Sequence, residues 1–147
     1  MNVVFLDING VLDTNEKMDE IDSDNLNRLK TIIDTTNSKV VISSSLKNSY
    51  YYTGHLSKHL IKIIKEIKEA GIEVTGITPK CNSRMHEIMQ YLKEHPEIEN
   101  YCILDDDYDM EELKDNLVKL PPQIEEGQKG LEDIHVDKAI KILKRKK

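Results

Sequence analysis

Short apolar runs alternate along this chain with longer stretches whose apolar residues recur at roughly three- to four-residue spacing, the period of a helix face. Runs over 2–6, 39–42, 72–77, 101–104 and 116–120 are rich in β-branched and aromatic residues and predict strands. After Asp22 or Ser23, the residues Leu26, Leu29 and Ile33 share one helical face. Leu56, Leu60, Ile63, Ile64 and Ile67 share a second, stopped by Gly71. Met85, Ile88, Met89 and Leu92 mark a third that must end before Pro96, and Val136, Ala139, Ile140 and Leu143 mark a last one. Residues 121–130, opened by two prolines, read as the one long loop, and no segment repeats another. The alternation predicts an α/β protein with a parallel sheet of about five strands and helices on both faces.

Composition narrows this picture. At 147 residues the chain fits one domain over 1–147, since two would each be short of core. Hydrophobic residues at 38% supply that core, and charged residues at 33% describe a well-solvated surface. A net charge of −6 argues against a broad nucleic-acid surface, and the basic tail from Lys144 to Lys147 reads as the end of a helix. Cys81 and Cys102 have neither metal-ligand spacing nor a disulfide framework. No run resembles a signal peptide or a membrane span, so a cytoplasmic protein without a membrane or an obligate protein partner is the expectation.

Ligands of open parallel sheets bind beyond the carboxyl ends of the strands. The first strand leads into Asp7-Ile8-Asn9-Gly10-Val11-Leu12, the second into Ser43-Ser44-Ser45, the third into Thr78-Pro79-Lys80 with Arg84 behind, and the fourth into Asp105-Asp106-Asp107. Each has an ordinary explanation. Asn-Gly makes turns, serines cap helices, aspartate runs are solvated, and one lysine is a surface lysine. Together, at successive strand ends, they match phosphate chemistry with a divalent cation. Asp7 with Asp105 or Asp106 would suit Mg²⁺, and Lys80 or Arg84 with a serine hydroxyl would offset phosphoryl charge. A carboxylate such as Asp7 can attack phosphorus directly.

These runs resemble the haloacid dehalogenase (HAD) superfamily of phosphohydrolases. Residues 5–12 are similar to its first motif, 40–43 to the second, and 103–106 to the fourth. The third motif, a single basic residue, is either Lys80 or Arg84. The stretches 42–47 and 84–88, with Gly130-Leu131, resemble a small subgroup found alone or fused to RNA-repair enzymes. The resemblance implies a Rossmann-like HAD-type fold and Mg²⁺-dependent hydrolysis of phosphomonoesters. Asp7 would be nucleophile and metal ligand, and the backbone carbonyl of Asn9, with Asp105 and Asp106, would complete the metal shell. Ser43 would hydrogen-bond the phosphate, Lys80 or Arg84 would steady its charge, and Gly10, Ser44, Ser45 and Lys47 would border the substrate.

One residue departs from the pattern. HAD phosphatases carry a second acid where this chain has Asn9, and an amide exchanges no proton near neutral pH. Losing a general acid costs roughly 10²–10⁴-fold in rate. Three accounts are open: an engineered change that traps a bound state, a natural enzyme that is slow or needs an acidic leaving group, or a site that binds phosphate without turnover. Asp13, in the same loop, is a candidate substitute.

The spacing leaves no room for a cap domain, so the cleft would be open, with the acidic, mobile-looking segment 11–21 as its only flap. An open cleft admits a nucleotide or a nucleic-acid terminus as readily as a small metabolite. Lys47, Tyr50, Tyr51, Tyr52, His55 and Lys58 either contact such a substrate or pack on the sheet edge. The rivals are an inactive phosphate- or nucleotide-binding domain on the same fold, and a receiver domain, whose acid should end the third strand.

Overall fold

The computed structural model describes residues 1–106 and 110–145, without the side chains of Ser49, Tyr51 and Tyr52. Asp107, Lys146, Lys147 and the rings of Tyr51 and Tyr52 lie outside the described residues. Five strands form one sheet: β1 (Asn2–Leu6), β2 (Ser38–Ile42), β3 (Val74–Ile77), β4 (Asn100–Asp105) and β5 (Leu117–Lys119). Their order is β3-β2-β1-β4-β5, and every pairing is parallel. The fold is thus the Rossmann-like α/β arrangement that the alternation predicted, with no cap. A receiver-type sheet would run 2-1-3-4-5 and separate the first and fourth strands, which here are neighbours.

Side chains alternate across the pleat, so each central strand feeds two cores. Val4, Leu6, Val40, Ile42, Cys102 and Leu104 pack with the apolar stripes of α1 (Ser23–Thr36), α3 (Lys58–Glu69) and α5 (Asp133–Leu143). Val3, Phe5, Val41 and Ile103 pack with Ile88 and Tyr91 of α4 (Arg84–Glu94). Helix boundaries follow local chemistry. The Asp22, Ser57 and Ser83 side chains accept from the Asn25, Leu60 and His86 amides and cap α1, α3 and α4.

Several boundaries differ from expectation. β3 starts at Val74 because Gly71 turns the chain at φ +87°, sending Ile72 into the core before the ladder begins. Residues 45–53, where the apolar pattern predicts no element, form a 3₁₀ turn (Ser45–Lys47) and a short helix, α2 (Asn48–Thr53), which Gly54 ends in the left-handed region. That segment is polar and aromatic, without an apolar stripe to betray a helix. A second 3₁₀ turn, Glu111–Asn116, precedes β5. Residues 121–130 are not the only long connection, since 7–22 between β1 and α1 also contain neither helix nor strand. Among the described residues, no helix is long and apolar enough to cross a membrane.

Candidate active site

The register of the sheet sets the site. Leu6 pairs with Ile42 on one side and Leu104 on the other, so Asp7, Ser43 and Asp105 emerge side by side. Three backbone bonds fix that row: Asp7 N–H donates to Leu104 O (3.0 Å), Ser43 N–H to Leu6 O (2.8 Å), and Thr78 N–H to Ile42 O (2.9 Å). The chain turns away to β2 and β3 on one side of β1 and returns to β4 on the other. The crevice therefore opens between β1 and β4, where the strand order reverses.

Asp7, Asp105 and Asp106 are all buried, and each can place one carboxylate oxygen within 4.8 Å of the other two. Arg84, the first residue of α4, reaches into this group. Its Nη1 lies 2.6 Å from Asp105 Oδ2 and 3.5 Å from Asp7 Oδ1. A cation at a helix N-terminus is disfavoured by the helix dipole, so the carboxylates are what hold it there. Burial, then the charges of Asp105 and Asp106, push the Asp7 carboxyl well above the ordinary carboxylate range, while Arg84 pulls the other way. For Arg84, burial works against the charged form, but Asp7 and Asp105 outweigh it and raise its pKa. One guanidinium against three buried carboxylates leaves a surplus of negative charge, which a divalent cation with a preference for carboxylate oxygens fits.

Two further features shape the same crevice. Gly10 turns at φ +84°, and a Cβ there would run into the Asp106 carboxylate, so glycine lets the first loop pass the fourth strand's acid. Ser43 is 1% exposed, and its hydroxyl has no hydrogen-bond partner among the described residues. A buried, unsatisfied hydroxyl beside Asp7 suits a ligand acceptor such as a phosphate oxygen.

A comparison with protein-family models matches residues 3–136 to the HAD domain in Swiss Army Knife RNA repair proteins. The chain belongs to this family. Comparison with curated proteins and with solved structures gave no match. The family supports a phosphatase-like or RNA-repair role for the site just described.

Within this HAD domain, the Arg84 guanidinium reaches both Asp7 and Asp105. Lys80 is exposed, in the connection between β3 and α4. Ser44 is buried and its hydroxyl accepts from the Leu46 amide, while Ser45 is exposed. Lys47, expected at the substrate, turns inward instead. It is 1% exposed, with Nζ 2.6 Å from Glu87 Oε1 and 2.9 Å from Thr78 Oγ1. Burial lowers its pKa, against the hydrogen bond and charge of Glu87. Of the tyrosine-rich group, Tyr50 is exposed on α2.

The first loop is pinned rather than mobile at its root. Asp13 is 1% exposed and accepts four N–H donors: Gly10 N (2.6 Å) and Gln123 Nε2 (2.6 Å) on Oδ1, Asn9 Nδ2 (2.8 Å) and Asp19 N (2.8 Å) on Oδ2. Both its oxygens are committed to holding the loop, which removes it as a stand-in for the missing acid. Asn9 donates from the same Nδ2 to Asp19 Oδ1 (2.9 Å) as well. Gly130 lets the distant loop cross over this knot, since a Cβ there would run into the backbone carbonyls of Asp13 and Val11. Only the tip, residues 16–20, is exposed.

Glu87 and Gln123 were missed from sequence. Glu87 left a faint trace, an acid three residues after Arg84 that would sit on the same helix face. Gln123 left none, because its amide N–H to Asp106 (2.8 Å) and side chain to Asp13 exist only once a remote loop has folded back.

Proposed function

We propose that this protein is a Mg²⁺-dependent phosphatase that works through an aspartyl-phosphate on Asp7, acting on nucleotides or on phosphorylated nucleic-acid ends. The observation that carries this reading is the trio Asp7, Asp105 and Asp106 with Arg84 set against two of them. Asp7, Asp105, Asp106 and the backbone carbonyl of Asn9 would hold the cation. Mg²⁺ bound there supplies the positive charge that lets an anionic phosphate approach an anionic carboxylate.

In the first step an Asp7 carboxylate oxygen bonds to phosphorus while the bond from phosphorus to the ester oxygen breaks, its electron pair leaving with that oxygen. Arg84 and the Ser43 hydroxyl stabilise charge on the transferring group. Water then attacks phosphorus, the bond to Asp7 breaks, and inorganic phosphate leaves, with water's proton passing to solvent. Asn9 exchanges no proton, so the departing ester oxygen takes its proton from solvent too. Position 9 faces the carboxylates of Asp13 and Asp19, where an amide donates and a third carboxylate would be repelled. That supports a native amide over an introduced trap. The family description and the cap-free cleft support a macromolecular end as substrate.

Phosphate release from p-nitrophenyl phosphate and from 5′- and 3′-phosphorylated RNA, with Mg²⁺ or with EDTA, tests the proposal. Turnover that needs Mg²⁺ and vanishes in Asp7→Asn is the expected result. The amide at 9 favours a second reading, binding without turnover. Silence on every ester, with Mg²⁺-dependent phosphate binding intact, would establish that reading instead.

A further inference from the structure

Behind Arg84 lies a second layer of buried charge that the steps above do not use. Glu87, one turn along α4, is 7% exposed and offers Oε1 to two cations, Lys47 Nζ at 2.6 Å and Arg84 Nε at 4.0 Å. Its other oxygen accepts the Cys81 amide (3.1 Å), which fixes the carboxylate against the connection between β3 and α4. Arg84 therefore sits between rival acceptors: Asp105 and Asp7 toward the crevice, Glu87 away from it. A lone carboxylate this buried would draw the nearest cation to itself. Lys47 satisfies it first, and the Thr78 hydroxyl at the end of β3 holds the ammonium in place.

We propose that Lys47 is a positioning residue: by neutralising Glu87 it keeps the Arg84 guanidinium turned toward Asp7 and Asp105, where a phosphoryl group is held. This rests on the reading of Arg84 as the phosphate-facing base. It also replaces a direct role for Lys47 at the substrate, because an ammonium held on Glu87 and Thr78 beneath the surface acts through its neighbours.

A double-mutant cycle between Lys47 and Arg84 tests this, read as kcat and KM for p-nitrophenyl phosphate and as affinity for inorganic phosphate with Mg²⁺. Lys47→Met is expected to lower kcat by about 10²-fold, the scale of a misplaced catalytic group, with KM little changed. In an Arg84→Ala background the same substitution should cost less than about 3-fold, since the group it positions has gone. Lys47→Met with Glu87→Gln removes both charges, leaves no lone buried ion, and should recover at least about 10-fold of the loss. Lys47→Arg should keep most of the activity. Thermal melts confirm that each variant is folded, and the neutral pair serves if Lys47→Met alone is not. Equal losses in the two backgrounds, or a loss confined to KM, would overturn the proposal. If the wild-type chain turns over no ester, the phosphatase reading fails while the binding cycle still decides. Weaker phosphate affinity from Lys47→Met only when Arg84 is present supports positioning, and equal weakening overturns it.

Discussion

Asp7 and Asp13 lie six residues apart in one loop, both nearly inaccessible to solvent, and they are treated in opposite ways. Asp13 receives four N–H donors, and Asn9 bridges it to Asp19. Asp7 accepts its own neighbour's amide (Ile8 N, 2.9 Å) and shares one arginine with Asp105, while Asp106 adds to the repulsion. A saturated carboxylate is a structural part, since its charge is spent on the backbone around it. An undersatisfied one is poised for a partner that arrives later, at a cost to the protein alone. The loop thus has a fixed end and a reactive end, and Gly10 joins them by passing directly under Asp106.

The contrast is most sharply broken by exchanging the roles of the two acids. Asp7→Asn should abolish phosphate release by at least ~10⁴-fold, the scale of losing a nucleophile. In a melt without metal it should leave Tm unchanged or higher, because a repelled charge has gone. Asp13→Ala should do the reverse first. Stranding the buried donor of Gly10 and the part-buried donors of Asn9 and Asp19 should lower stability by about 3 kcal/mol in urea titration, with activity falling as a consequence of a loosened loop. A result in which Asp13→Ala silences the site without destabilising it would make Asp13 a participant rather than a clamp.

Adding the missing partner should sharpen the comparison. If Mg²⁺ binds the three acids, a hundredfold excess over Kd should stabilise the wild type by about 2.7 kcal/mol, and Asp106→Asn should erase most of that gain. A melt with rising MgCl₂, read against the same melt in EDTA, checks this.

The smallest effect expected is in pH. The folded-state pKa of Asp7 is raised, so its contribution to stability is present below the ordinary carboxylate range and lost as pH rises through the raised value. Metal-free protein should therefore lose stability as pH climbs from that range toward neutrality. The slope should flatten in Asp7→Asn and with saturating Mg²⁺. An unchanged slope in Asp7→Asn would place the pH dependence elsewhere.

Much of this was legible in the chain. Short apolar runs located the five strands among the described residues, because strands buried on both faces read as continuous apolar segments, and helical periodicity located four of the five helices, whose burial is one-sided. Parallel order followed from crossover lengths, and with it the rule that chemistry gathers at strand ends. That is why Asp7, Ser43, Asp105 and Asp106 could be nominated before any geometry was known. Helix α2 escaped, since its residues carry no stripe to register.

What the sequence left open was pairing between side chains that strand ends do not dictate. It offered Lys80 and Arg84 equally, and the start of α4 is what set the Arg84 guanidinium against Asp105. It presented Lys47 as a substrate contact, and packing turned the ammonium onto Glu87, forty residues away. It showed an acidic, mobile-looking loop, and Gln123 and Gly130 from a remote segment tied its root down. Local pattern determines which residues are buried and at which end of the sheet they emerge, because that depends on backbone period alone. Which charge satisfies which is decided only when the elements close, since buried ions take whatever partner the finished packing brings within reach.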